Sequence, residues 1–260
     1  MRKIQTVSYA PEHGAYGWID LYWPETTAPC PMFIYFHGGG LTGGDRAARV
    51  QSTLQRLAAH GIAVASVEYR LMRFHNGQLC SDSPQFPDFV TDAARAVAWL
   101  RSHPVDEHPV SAYYVGGSSA GAYLSLMLFA NPAYLGKYGI DPMEIDGYLF
   151  DAGQPTTHFN VLNARGQDGR LIRIDEAAPL YWIDHDYSGR LPKLRILYAE
   201  SDMVNRPEQT RLLYRTLLHF RYDPNRITLR RMDGYTHCAY CGDPDVFAPE
   251  IEALIASGTP

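Results

Sequence analysis

Ala112-Tyr113-Tyr114-Val115-Gly116-Gly117-Ser118-Ser119-Ala120-Gly121-Ala122-Tyr123-Leu124-Ser125-Leu126-Met127-Leu128 decides the fold. It opens as a short apolar strand, Ala112 to Val115, and continues as an apolar helix, Tyr123 to Leu128. Between them Gly117-Ser118-Ser119-Ala120-Gly121 fits G-x-S-x-G. A serine on a tight strand-to-helix turn has its hydroxyl pushed out, and side chains on the flanking residues would collide there, so glycines stand at minus two and plus two. The pentapeptide alone is a modest signal, because small-residue strings are common; its place between strand and helix gives it weight. Ser119 has both glycines in register, and Ser118 is the neighbouring candidate.

Outward from this turn, short apolar runs alternate with helix-like segments, the order of a mostly parallel sheet flanked by helices. The strands expected are Ile19–Trp23, Pro31–Phe36, Ile62–Val67, Tyr148–Phe150, Ile196–Ala199 and Ile227–Leu229. The first alternates like an early antiparallel strand, with Ile19, Leu21 and Trp23 on one face. Pro31–Phe36 is continuously apolar, as in a strand covered on both faces. Val90, Ala93, Ala94, Val97 and Leu100 form one helical stripe. A later helix begins near Asn205, read as its N-cap, with Pro207 in the first turn and Leu213, Leu217 and Phe220 on the buried face. No repeat or linker interrupts 1–260, which reads as one domain. Residues 152–190 break the alternation with Gly, Pro, Asn, Asp and aromatics, and form the candidate lid.

Composition narrows the function classes. The 260 residues are 46% hydrophobic and 20% charged, with a net charge of -5. No Lys/Arg run suggests a nucleic-acid partner, and no stretch is long and apolar enough for a membrane. The opening Met1-Arg2-Lys3-Ile4-Gln5-Thr6 has no apolar run after it, so a cytoplasmic location is expected. Of four cysteines, Cys30 and Cys80 are isolated, while Cys238-Ala239-Tyr240-Cys241 has redox or metal spacing. Without a second pair, plain thiols are expected, and neither metal nor cofactor.

Acyl-transfer chemistry needs a base and an orienting acid beside the serine. With the chain order Ser, then Asp or Glu, then His, the acid should follow a late strand. Asp202 and Glu200 both do, and Asp202 is preferred. Among ten histidines, His237 alone falls between the last strand and the final helix; His219 lies in the helix and is read as structural. His37-Gly38-Gly39-Gly40, directly after the strand ending at Phe36, can bring backbone N–H groups against a developing oxyanion.

These motifs, with Val67-Glu68-Tyr69-Arg70-Leu71 and Phe86-Pro87-Asp88 leading into Asp92–Val97, make residues 15–255 resemble an α/β-hydrolase of the hormone-sensitive-lipase-like esterase branch. The resemblance implies a serine ester hydrolase with oxyanion donors at the N–H groups of Gly39, Gly40 and Ala120. It also implies structural roles for Glu68, Tyr69 and Arg70. Many members carry a longer N-terminal segment over the site, so here any cap should be small and come from 152–190. Tyr181, Trp182 and Tyr187 are its candidate substrate-binding residues. The substrate expected is a short-chain, above all acetyl, ester of a small molecule or oligosaccharide. Two alternatives stay open: an arylformamidase-type amide hydrolase on the same residues, and a non-catalytic binding protein on the same fold, which would typically lack one triad member.

Overall fold

The apolar run after residue 29 forms β3 (Cys30–Phe36), and both of its faces are covered. Met32, Ile34 and Phe36 enter one core while Phe33 and Tyr35 enter the other, as the period of two requires. The computed structural model describes residues 4–47, 49–103 and 109–256; the Met1-Arg2-Lys3 opening lies outside them.

Among the described residues there are ten strands. The main sheet holds β1 (Ile4–Ser8), β2 (Trp18–Tyr22), β3, β4 (Ala63–Val67), β7 (Val110–Ser118), β8 (Gly147–Asp151), β9 (Lys193–Ser201) and β10 (Ile227–Thr236). Its order is β1-β2-β4-β3-β7-β8-β9-β10, while β5 (Phe74–His75) and β6 (Gln78–Leu79) pair apart as a small ribbon. From β4 to β10 all pairings are parallel, and β2 runs antiparallel to both neighbours. Helices α2 (Asp88–Ser102), α3 (Ala120–Ala130) and α6 (Arg206–His219) send Val97, Leu124 and Leu213 into one core. Helices α1 (Gln51–Ala59) and α7 (Pro244–Ala256) send Leu54 and Ile251 into the other. The short α4 (Pro132–Gly136) and α5 (Phe159–Ala164) lie beyond the carboxyl ends of β7 and β8 in sequence.

The expected strands are present, with ends shifted by a few residues. Three features depart from the sequence reading. β1, polar at Gln5, Thr6 and Ser8, is not among the expected strands; it is an edge strand held by β2. Trp23 lies just past the end of β2, whose Ile19, Leu21 and Tyr22 are buried on both faces of the sheet rather than one. All five stripe residues of α2 are buried. α6 starts where expected, but Asn205 adopts a left-handed conformation (φ 63°) and makes no side-chain cap.

Register brings the chemistry to one edge. Gly117 pairs with Phe36, Ser118 with Asp151, and Thr236 with Ser201, so the carboxyl ends of β3, β7, β8, β9 and β10 lie side by side. In open α/β sheets ligands bind beyond these ends. Between Met232 and Thr236 the register of β10 against β9 shifts, and this bulge delivers His237 opposite the residue that follows β9.

Candidate active site

Ser119 stands at φ 55°, ψ -113°, a backbone conformation that costs a non-glycine residue energy and is held by its surroundings. Its N–H donates to the Asp151 carbonyl at 2.7 Å, and its own carbonyl accepts from Tyr123 in the first turn of α3. The flanking glycines are steric necessities. A Cβ on Gly117 would lie 2.4 Å from the Phe36 carbonyl oxygen, and one on Gly121 only 1.9 Å from it.

His237 follows the bulge and is half-buried. Its Nε2 lies 2.8 Å from Ser119 Oγ, and its Nδ1 lies 2.6 Å from Asp202 Oδ1. Asp202, one residue past β9, also accepts from the N–H groups of Ala199 (3.0 Å) and Met203 (2.7 Å). Burial alone would raise this carboxyl; the hydrogen bonds from His237, Ala199 and Met203 outweigh it and hold the group below its ordinary value. The arrangement can take a proton from Ser119 Oγ and stabilise the resulting imidazolium. Glu200, the other candidate acid, points away: it accepts from Gly234 N–H at 2.9 Å and so braces the β10 bulge. Ser118 is buried, 3.3 Å from Cys241 Sγ and away from His237. His219 stays exposed at the end of α6, against the Phe220 ring.

The glycine loop after β3 is anchored from behind. His37 Nε2 sits 2.9 Å from Glu68 Oε1, its ring stacks on Tyr69 at 4.3 Å, and the Tyr69 hydroxyl donates to the His37 carbonyl at 2.7 Å. Arg70 grips Asp92 through two 2.8 Å hydrogen bonds. Gly39 takes φ 118°, and a Cβ there would meet the Gly43 carbonyl oxygen at 2.0 Å. Among the described residues, neither Gly39 nor Gly40 donates its N–H to a backbone carbonyl. Ala120, first residue of α3, has no acceptor within its own helix for its N–H. From α5, Asn160 Nδ2 donates to the Gly40 carbonyl at 2.7 Å, tying the candidate lid to the loop.

A cavity of about 550 Å³ opens over Ser119 and His237. Its walls include Tyr35, Val50, Phe159, Asn160, Met203 and Cys238. Of residues 152–190, Phe159 and Asn160 on α5 reach it, so the cap is small. The expected aromatics do not. Tyr181 is exposed, Trp182 bonds through Nε1 to the Glu176 carbonyl, and Tyr187 is buried against Phe129 and Tyr222. They lie on the short helical turn Pro179–Trp182 and the chain after it, which pack on the body of the protein instead of leaning over Ser119.

A second polar cluster lies under the turn. Asp151, fully buried at the end of β8, accepts from the Tyr240 hydroxyl and from Cys241 Sγ (3.1 Å). Burial raises this carboxyl above its ordinary value, against those hydrogen bonds and the pull of His237. The hydrogen bond to Cys241, with burial, pushes the Cys238 thiol well up, and burial raises Cys241, so both stay protonated. All four cysteines are free thiols. Asp151, Cys238 and Cys241 are the one group of three potential metal donors among the described residues, with ligand atoms within 4.8 Å of one another. Sequence reading singled out the CxxC pair but not Asp151, whose signal was a lone carboxylate directly after an apolar strand.

Comparison with known proteins agrees with this geometry. The BD-FAE family model matches residues 19–137. The carboxylic ester hydrolase LipN of Mycobacterium tuberculosis is 30% identical over 69% of the chain and 47% of its own length. The chain spans less than half the length of this and the other curated relatives it matches. Among solved structures, a truncated carbohydrate esterase from gut microbiota superposes with a TM-score of 0.75 at 17% identity, covering 99% of this chain and 97% of that one. Thermogutta terrifontis esterase 2 phosphorylated by paraoxon gives 0.70 at 19%, covering 98% and 94%. No helix among the described residues is long and apolar enough to cross a membrane. Together they give the chain the α/β-hydrolase fold, with residues 19–137 similar to the BD-FAE family.

Proposed function

We propose that the chain is a serine carboxylic-ester hydrolase in which Ser119 is the nucleophile, His237 the base and Asp202 the orienting acid. One observation carries the reading: an unbroken relay from Ser119 Oγ to His237 Nε2 at 2.8 Å and from His237 Nδ1 to Asp202 at 2.6 Å. Neutral His237 accepts the hydroxyl proton as Oγ attacks the ester carbonyl carbon. The carbonyl oxygen becomes an oxyanion facing the N–H groups of Gly39, Gly40 and Ala120. Donors placed there contribute on the order of 3 kcal/mol each to the transition state. The C–O bond then breaks, and His237 returns the proton to the departing alcohol. Water attacks the acyl-enzyme by the same relay and frees Ser119.

The substrate we infer is a short acyl ester, above all an acetyl ester, of a polyhydroxylated alcohol. Long acyl chains need extended apolar cover, since each buried CH₂ contributes about 0.8 kcal/mol. Here the cover is one short helix, α5, and the cavity rim carries the polar Thr42, Asp45, Arg49 and Asn160. The structural likeness to a carbohydrate esterase supports the alcohol side. Four free thiols support a reducing compartment.

Treatment with paraoxon, which phosphorylates the Thermogutta esterase, tests the nucleophile. The expected result is one adduct on the peptide holding Ser119, and loss of activity. Ser119→Ala should take no label and lose several orders of magnitude in kcat, leaving only binding and oxyanion assistance. Retained activity in Ser119→Ala beside a dead Ser118→Ala would move the nucleophile. In a series of 4-nitrophenyl esters the rate should peak at two to four carbons, about the span of a short acyl group. Acetylated xylo-oligosaccharides should release acetate faster than an alkyl acetate. Faster turnover of arylformamides than of either ester would favour an amidase on the same residues.

A further inference from the structure

Beside the catalytic cavity, and sharing Phe159 and Met203 with it, lies a second cavity of about 630 Å³. Its rim is apolar and open: Leu171, Ile172, Met203 and Val204 are all exposed, Val204 to 90%. Its inner wall is polar, made by Gln154, Arg206 and Gln209. Arg206 is only 4% exposed. Its Nη2 donates to Gln154 Oε1 at 3.2 Å, while Nε and Nη1 have no hydrogen-bond partner among the described residues. Gln154 and Gln209 are held in place by Thr156, which accepts from Gln154 Nε2 (3.2 Å) and donates to Gln209 Oε1 (2.9 Å). Among the described residues no carboxylate pairs with this guanidinium. Asp202 acts on it at longer range, and its oxygens are already bonded to His237, Ala199 and Met203. Asp168 and Arg170, also on this cavity, pair with each other.

Burying an unpaired charge is costly, and a fold keeps such a group where something else compensates it. Burial draws Arg206 down to about 10, which still leaves it cationic at neutral pH. A guanidinium with Nε and Nη1 both unpartnered keeps three N–H groups from which a carboxylate can accept. We propose that Arg206 binds a carboxylate on the alcohol portion of the substrate, so that the preferred substrates are acyl esters of hydroxy acids. The inference rests on the ester-hydrolase reading, with the short acyl group over Ser119 in the first cavity. The alcohol then extends past Phe159 and Met203 into the second. The apolar rim holds its carbon skeleton, and Arg206 holds the acid.

The test compares 4-acetoxybenzoate with 4-acetoxybenzamide, equal in size and differing in charge. The amide has the better leaving group, so a higher kcat/KM for the carboxylate must come from binding. Wild type should favour the carboxylate at least tenfold, mainly in KM, and the preference should collapse in Arg206→Met and persist in part in Arg206→Lys. A guanidinium that served only to tune Asp202 would change both substrates alike, leaving their ratio at the wild-type value; that result overturns the proposal. Should Arg206→Met not fold, wild type alone decides: 4-hydroxybenzoate should inhibit competitively at least tenfold better than 4-hydroxybenzamide, and equal inhibition overturns it. Hydrolysis of 4-acetoxybenzamide itself reports on the ester-hydrolase reading, so a wild type that cleaves both esters equally refutes the role of Arg206 alone, and one that cleaves neither refutes the function beneath it.

Discussion

Two carboxylates end neighbouring strands of the same sheet and draw their partners from the same loop, yet they are driven in opposite directions. Asp202, just past β9, meets His237; Asp151, at the end of β8, meets Tyr240 and Cys241. Asp202 collects two backbone N–H groups besides the imidazole, and these overcome its burial. Asp151 is fully buried, and burial outweighs the hydrogen bonds from Tyr240, Ser118 and Cys241. The sheet therefore offers two equivalent positions for an acid. The balance of burial against hydrogen-bond donors decides which is held below its ordinary value, as suits a carboxylate that steadies an imidazolium, and which is pushed above it under the Ser119 turn.

The largest effect should come from erasing the charged member. Asp202→Asn keeps the shape but leaves His237 in the wrong tautomer, and kcat should fall on the order of 10³–10⁴. Glu200→Gln, which touches only the bulge, should fall by a few-fold at most. Steady-state kinetics on a short 4-nitrophenyl ester separates the two. If Glu200→Gln proved the more damaging, the standing charge would be at Glu200 and the comparison between strand ends would lose one side.

A smaller effect is expected at the other strand end. Tyr240→Phe removes one donor from a buried carboxyl and should cost about 1–3 kcal/mol of stability, the usual penalty for leaving a buried polar group short of a partner. The melting temperature should drop several degrees, while KM stays near that of wild type. A variant as stable as wild type would show that Tyr240 does not support Asp151.

The difference between the two sites also marks what a sequence can tell. Ser119, His237 and Asp202 were legible because a strand–turn–helix context, chain order and the position after a strand each constrain them locally. The parallel sheet was legible because strands covered on both faces are written as continuous apolar runs. Asp151 was not, since its meaning comes from Tyr240 and Cys241, about ninety residues away in sequence and joined to it only by register. β1 was missed because a half-exposed edge strand has little apolar content. Tyr181, Trp182 and Tyr187 have the chemistry of a substrate wall, but aromatic rings serve packing equally well: Trp182 and Tyr187 pack on the core, and Tyr181 is exposed away from the cavity. Phe159 and Asn160 occupy the wall instead, through a helix of six residues too short to show periodicity. Arg206 carries no sequence signal; its burial with Nε and Nη1 unpartnered among the described residues is what sets it apart.

The finest test of the comparison is pH. The folded Asp151 holds its proton more tightly than the unfolded chain does, since its value is raised. As pH climbs from the ordinary carboxylate range, about 4, the unfolded state releases that proton first and gains stability relative to the folded one. Wild type therefore loses stability as pH rises from there to the folded value of Asp151, and no further beyond it. Asp202, lowered, works in reverse: its contribution is complete above the ordinary range and fades as pH falls through the folded value. Asparagine at 151 has no proton to lose, so Asp151→Asn should become progressively more stable relative to wild type as pH rises through the first window, then run parallel to it. Other carboxylates titrate equally in both proteins and cancel in the difference. Thermal melts of the pair between pH 3 and pH 8 would reveal it. A constant offset across that range would mean that Asp151 titrates alike in folded and unfolded chains, and that the two strand ends do not differ as their donors require.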